Sequence, residues 1–315
     1  MADRLPARGG PLLVGLLGRE RSLGPVRLRE LHGIYGSVGG PLCADLGRAA
    51  RGASLEALLR AFGPWDLLRV QRLRRCSPWL TLQAELAYVA PEPDGGAGVI
   101  DVSGDRERLW RSLRPKLRSN LRRMARRIEQ RGGAQVVEHE GASLEAAFDR
   151  HVELEAAGWK GRRGTALNQD EPLAGAVRSF FATTPGCVVR QLLVGGVLAA
   201  SQLCVRWEDR IYVFKQTYNE SLSELSPSKI LLIDLLERAC EDPTVRAIDG
   251  FVWEPWNSEW PVAREPTVSL VAFNPASARG RLAHALWRAR RAVRRGAADP
   301  AFLPAAAYRD SSSRR

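Results

Sequence analysis

Lysine is almost missing from this 315-residue chain. Lys116, Lys160, Lys215 and Lys229 are the only four, and arginine carries the rest of a strongly basic balance, net +12 with a pI of about 10.2. Arginine in place of lysine follows from GC-rich coding as readily as from function. Its physical effect is the same either way: guanidinium forks pair with phosphate and carboxylate, and a basic field draws polyanions. Histidine is scarce too. His32, His139, His151 and His284 form no HExxH or paired spacing, and Cys43, Cys76, Cys187, Cys204 and Cys240 form no CxxC. These absences argue against a metal site and a disulfide framework, and fit buried thiols in a reducing compartment. No run of 18 apolar residues is present, which excludes a spanning helix of the usual kind. The opening "MADRLPARGG" has no apolar core of the length an export signal needs, and "PLLVGLLG" is too short and too strand-like. A cytoplasmic enzyme or binding protein is the expectation.

What is present alternates between strand and helix periods. "PLLVGLL", "GPVRLREL" and "WDLLRVQRL" read as strands, and "ASLEALLRAFG" as a short helix with Ser54 as N-cap and Gly63 past its end. "APEPDGGAG" at 90–98 is rich in turn formers and reads as a boundary. Beyond it, "DRERLWRSL" is helical. Pro115 then opens a second helix whose apolar residues fall at 117, 121, 124 and 128, one face, with arginine over much of the rest. "AQVVEHE" is a strand, and "SLEAAFDRHVELEAA" a helix behind Ser143. "CVVRQLLV", "VLAASQLCVRW" and "RIYVFKQTYN", joined by Gly195-Gly196 and by a turn at 208–209, predict an antiparallel meander. Strict alternation puts Tyr212, Phe214, Gln216 and Tyr218 on one face of its last strand, and Ile211, Val213, Lys215 and Thr217 on the other. "SPSKILLIDLLERACED" is a helix with Ser226 as N-cap and Pro227 at N1, followed by the strand "VRAIDGF". Helix, strand, two helices, three strands, helix and strand make an α+β fold with a mixed sheet. Residues 276–295 form a second basic amphipathic helix, with Leu282, Leu286 and Val293 opposite a run of arginine. Such a helix suits an anionic membrane surface. The tail beyond 296 reads as disordered.

Four stretches together carry a resemblance: "LRPKLRSNLRRMARRIEQRGG", "LEAAGWKGRRGTAL", "GGVLAASQLCVRWEDRIYVFKQTYNESLSELSPSKILLIDLLERA" and "AIDG". In this order they resemble the bacterial GNAT-type acyltransferases of the cellulose-biosynthesis-associated acetyltransferase family, itself similar to the FemAB-type peptidoglycan aminoacyltransferases. The likeness covers roughly 105–270 well and the N-terminal part more weakly. It implies tandem GNAT-like modules: a reduced one at 1–104, a complete one at 105–274, and a basic helix and tail at 275–315. It also implies acyl transfer from acetyl-CoA or another acyl-CoA as co-substrate, without a metal, to an amine or hydroxyl of a small-molecule or saccharide acceptor in envelope or exopolysaccharide metabolism. The FemAB-like alternative takes aminoacyl-tRNA instead. A non-catalytic polyanion- or membrane-binding scaffold is the rival outside enzymology. The chain departs from the pattern in two places. It lacks the Gln/Arg-x-x-Gly-x-Gly/Ala loop that cradles CoA pyrophosphate, and "DGFVWEPWNSEWPVAREP" is unusually aromatic.

On this reading the start of the helix at Ser226, Ser228 and Lys229 binds donor phosphates, as a helix N-terminus can. Lys160, Arg162 and Arg163 clamp an anionic ligand over the cleft, and Trp159 anchors the loop or stacks on a sugar or base. Gln216 joins them on the substrate side. Glu155 is the candidate general base, Tyr218 the proton donor to the leaving group, and Asp249 matches the family's aspartate at the end of the last strand.

Overall fold

The computed structural model describes residues 16–23, 26–33, 64–74, 89–252 and 259–295. The helix expected at 54–63, the tail beyond 296, Cys43 and Cys76 lie outside them. Ten strands form one mixed sheet in the order β1-β2-β3-β10-β4-β9-β8-β7-β6-β5. The strands are β1 (Leu16–Leu23), β2 (Val26–Gly33), β3 (Leu67–Arg74), β4 (Val89–Asp101), β5 (Ala134–His139), β6 (Cys187–Val194), β7 (Val197–Trp207), β8 (Arg210–Tyr218), β9 (Ala247–Val252) and β10 (Val262–Phe273). Helices α1 (Arg106–Ser112), α2 (Pro115–Glu129), α3 (Leu144–Ala157), α4 (Trp159–Arg162), α5 (Glu171–Thr183), α6 (Pro227–Glu241) and α7 (Ala278–Arg295) complete it. The element order expected from residue 116 onward is observed, with the short helix α4 and strand β10 added to it.

Two cores sandwich the later half of the sheet. On one face α1, α2 and α6 bury Leu109, Leu117, Leu121, Leu232, Leu236 and Ile248 together. On the other, α3 and α5 bury Phe148, Val177, Phe180 and Phe181 against Leu203, Tyr212 and Phe214. The α2 stripe at 117, 121, 124 and 128 is the buried face that its spacing predicts.

Three sequence expectations need correction. Residues 90–98 are not a boundary turn but part of β4, paired along 89–100 with β10. Their prolines are tolerated because β9 reaches only residues 97–101 of this strand, so among the described residues Pro91 and Pro93 face no ladder on that side. Strand β10, which the aromatic composition around 253–260 disguised, lies between β3 and β4, so the sheet runs continuously across the division drawn at 104/105. The alternation along β8 is broken by a bulge: Val213 pairs with Cys204 and Lys215 with Leu203, leaving Phe214 as the extra residue. Tyr212, Phe214 and Lys215 therefore face α3, while Val213, Gln216 and Tyr218 face α6.

Strands β8 and β9 are parallel and share only three residue pairs, the last being Tyr212 with Asp249. Beyond it β8 stays with β7 as far as Tyr218 and β9 stays with β4 as far as Val252. The two strands part at Gly250. Its φ is +134°, and a Cβ there would lie 2.3 Å from the Val213 carbonyl oxygen. A side chain thus meets both strain and backbone. Gly250→Ala should destabilise the fold by about 2 kcal/mol or more. Gly175→Ala, in the exposed interior of α5 with open space around it, should stabilise by about 0.5–1 kcal/mol. Denaturant unfolding of both variants checks the pair; equal midpoints would refute this account of the split.

Candidate functional site

Helix α3 carries its buried residues at 144, 147, 148, 151 and 155. That is one stripe of a helix, and its last two positions are His151 and Glu155, both wholly buried. The chain then turns back through α4. Gly161 permits this, because a Cβ there would stand 1.8 Å from the Ala156 carbonyl oxygen. The turn swings Lys160 inward, where its Nζ donates to Glu155 Oε1 at 2.9 Å and to the Gln216 carbonyl at 2.7 Å. Lys215 Nζ, brought to this face by the bulge, donates to both Glu155 oxygens at 2.8 and 2.7 Å. The Leu167 N–H donates to Glu155 Oε2 at 2.8 Å. Glu155 is thus no surface carboxylate; it is the buried acceptor that ties α3, α4, β8 and the segment before α5.

Two ammonium groups share this one carboxylate, leaving a net positive charge. Burial alone would raise the Glu155 carboxyl, but Lys160 and Lys215 together hold it below its ordinary value. Burial lowers the Lys215 ammonium, with Glu155 opposing. Burial also pushes His151 down to about 3, so at neutral pH it is an uncharged imidazole, 2.9 Å from Ser201 Oγ through Nδ1. Its Nε2 has no hydrogen-bond partner.

The other expected cations of this turn do not converge on one point. Arg162 donates to Glu220 Oε2 at 2.7 Å, and Arg163 stacks 5.2 Å from the Trp159 ring. Trp159 is not a buried anchor but 40% exposed. Its N–H donates to Glu220 Oε1 at 2.7 Å. Glu220 thereby clasps the α4 turn to the turn that leads from β8 into α6.

On the α6 side Ser226 occupies the N-cap position, but in a left-handed conformation (φ 48°, ψ 52°) and without a side-chain cap bond. Its hydroxyl is not the cap that the sequence suggests. Ser228 is half-buried. Lys229 is engaged by Glu259 at 2.7 and 2.8 Å. Tyr218 packs against the cluster of Leu225 and Leu231. Asp249 is buried at the last β8/β9 pair with an Arg210 nitrogen 3.6 Å away. Gln216 accepts from Gln202 Nε2 at 2.7 Å, and Gln202 from the buried Arg190 at 3.0 Å. Arg190 also donates to Glu138, to the Leu231 carbonyl and to Asp234. Among the described residues no three His, Cys, Asp or Glu side chains gather as a metal-ligating group.

Arg190, Gln202, Lys215, His151 and Ser201 were not singled out from sequence. Their signal was there: "RQ", "SQ" and "KQT" interrupt three apolar strands, and the meander aligns Arg190 with Gln202 and Gln216, and Gln191 with Ser201 and Thr217.

Residues 115–251 match the family model described as the acetyltransferase (GNAT) domain. Among curated proteins no sequence matches. Among solved structures, L-PGS from Bacillus licheniformis superposes with a TM-score of 0.54 at 12% identity, over 87% of this chain and 85% of that one. A C-terminal domain from Agrobacterium fabrum gives 0.52 at 13%, over 86% and 84%. FemX gives 0.51 at 10%, over 82% and 89%. At such identities the likeness is one of fold. The site described above is therefore built on an acyltransferase-type GNAT fold, α+β with a mixed sheet flanked by helices.

Proposed function

We propose that the chain is an acyltransferase that moves an acyl group from acyl-CoA to an amine or hydroxyl acceptor in the cleft where β8 and β9 part. The observation that carries this is the Lys160 ammonium, held at the split by Glu155 and by the Gln216 carbonyl. Those two bonds use two of its three N–H groups, and its side chain keeps 20% exposure. The third N–H is free to donate to the oxygen of a thioester carbonyl and to the oxyanion formed when the acceptor attacks. The parted edges of β8 and β9 suit an extended, amide-bearing arm, which can hydrogen-bond there as an added strand does. At the N-terminus of α6 the Ser226 and Lys229 N–H groups go to the Ser223 and Ser226 carbonyls at 2.9 Å, so the Ser228 N–H, the Ser226 and Ser228 hydroxyls and the positive dipole end are what it presents to donor phosphates. Tyr218, at the end of β8, protonates the departing thiolate and regains a proton from the acceptor amine or hydroxyl, so the proton that the acceptor loses ends on the thiol. Glu155, with both oxygens occupied and its carboxyl held ionised, fixes the two ammoniums instead of taking the acceptor's proton. The resemblance to the cellulose-associated acetyltransferases supports a saccharide acceptor.

A second reading, an aminoacyl-tRNA donor, is favoured by one observation. Arg118, Arg122 and Arg126 line an open depression of about 470 Å³ on α2, one helical turn or about 6 Å apart. The turn at 219–226, where CoA pyrophosphate would lie, carries Glu220 and Glu224 instead of glycines. Thermal-shift titration separates the donors by mass action. Acyl-CoA should raise the melting temperature and aminoacyl-tRNA should not; the reverse outcome establishes the second reading.

The shared carboxylate gives a ranking that distinguishes catalysis from scaffolding. Lys160→Met leaves one carboxylate with one ammonium, so folding should change little while kcat falls by about 10²–10³. Glu155→Gln leaves two buried ammoniums uncompensated and should cost about 3–5 kcal/mol of stability. Full activity in folded Lys160→Met would refute the oxyanion role.

Acid should weaken the fold through His151. Between pH 6.5 and about 3 the unfolded chain binds a proton there that the folded chain does not, so stability falls as pH drops through that window. Glu155, with its folded value lowered, adds a further loss as it protonates at lower pH. At pH 5 the histidine contribution is about 2 kcal/mol. Guanidinium midpoints at pH 7 and pH 5 should therefore diverge less in His151→Gln than in the parent; equal divergence would disprove the assignment.

A further inference from the structure

Helix α7 packs against the sheet with one side only. His284 and Trp287 meet Phe273, with ring centroids 5.2 and 5.9 Å apart. Gly280 lies so close to the backbone of Asn274 and Asp66 that a Cβ would be 2.4 Å from the Asn274 carbonyl oxygen. The opposite side of the helix carries Leu282 and Leu286, 61% and 62% exposed. Single exposed leucines are ordinary, but these two stand at i and i+4. Ala289, also exposed, continues the spacing at i+7, so the apolar stripe runs along the face turned away from the protein. Arg279 and Arg290 flank it on one side, Arg281 and Arg288 on the other. Arg279, Arg281, Arg288 and Arg290 are all exposed. Residues 278–295 contain no Asp or Glu at all.

We propose that this outer face of α7 docks the protein on an anionic lipid bilayer. An apolar stripe bordered by arginines is the shape of a helix lying in a membrane interface: the leucines enter the acyl boundary while the guanidiniums reach lipid phosphates. Charge complementarity selects this occupant. A second copy of the helix would bring a run of like charges together with no acid to offset them. An RNA would pair with the arginines but leave the leucines in water. The inference is independent of the donor the cleft takes.

The test uses the full chain and co-sedimentation with two kinds of vesicle, one of phosphatidylcholine alone and one of equal parts phosphatidylcholine and phosphatidylglycerol. Binding should be confined to the anionic vesicles and should weaken as salt rises from about 0.1 to about 0.5 M. The double change Leu282→Ser with Leu286→Ser should lower partitioning by about tenfold or more without moving the melting temperature, since both side chains are exposed. Failure to bind anionic vesicles overturns the proposal. Equal binding by the double variant does so too, because a purely electrostatic surface would not need the stripe. A concentration-dependent dimer in sedimentation velocity that the double variant abolishes also overturns it, and would make the stripe an interface between copies.

Discussion

One carboxylate serving two ammonium groups organises the later half of this protein. A buried carboxylate is tolerated only when its oxygens are filled. Glu155 fills them from three different segments: Lys160 on α4, Lys215 on β8 and the Leu167 N–H before α5. None of these contacts is local to α3 itself. The end of the helix, the reversal after it and the bulged strand are therefore fixed by a single charge, and the loop that carries Lys160 is pinned from within. The surplus cation is what the proposed catalytic role of the cluster rests on. A buried pair of equal and opposite charges is self-contained, whereas two cations on one anion remain attractive to a further negative charge, such as the one that develops on an acyl carbonyl under attack.

The bulge at Phe214 is what makes that arrangement possible. Under strict alternation Lys215 would point to the α6 face, where Arg190 already lies in its own network with Glu138, Gln202 and Asp234. Two cations would then compete for the same acids, and Glu155 would face an apolar position. One extra residue sends Lys215 to Glu155 and Gln216 to Gln202, so each face receives a charge set that it can satisfy. The same stretch of strand lies beside the point where β9 departs. Bulge, split and cation cluster thus occupy a few consecutive residues of β8.

The helices and the meander were legible because they follow from hydrophobic period and turn chemistry, both local. The α2 face at 117, 121, 124 and 128 and the Gly195-Gly196 hairpin are such cases. Strand β10 was not legible, because its partners β3 and β4 are distant in sequence and its entry is aromatic. The prolines of β4 misled for a related reason: their tolerance depends on how far β9 reaches, which no local pattern states. For the site, residue types were readable but orientations were not. Lys160, Arg162 and Arg163 share a loop and so seemed to form one clamp. Three different partners, Glu155, Glu220 and the Trp159 ring, draw them apart. The burial of His151 and Glu155 could have been read from the stripe that starts at Leu144, which they continue at i+7 and i+11.

The basic balance is not spread evenly over the fold. Elsewhere in the second half several arginines are matched by acids: Arg106 by Glu237, Arg190 by Glu138 and Asp234, Arg206 by Asp242, and Arg238 by Asp234. On α2, Arg118, Arg122 and Arg126 form no ion pair with an acid among the described residues, and on α7 neither do Arg281, Arg288 and Arg290, while Arg279 feels the Asp66 carboxylate. Among the described residues Arg150, Arg163 and Arg246 form no ion pair with an acid either, but α2 and α7 carry such arginines in rows, beside a depression on one helix and exposed leucines on the other. The two basic faces thus differ in kind: one borders an open depression, the other an apolar stripe.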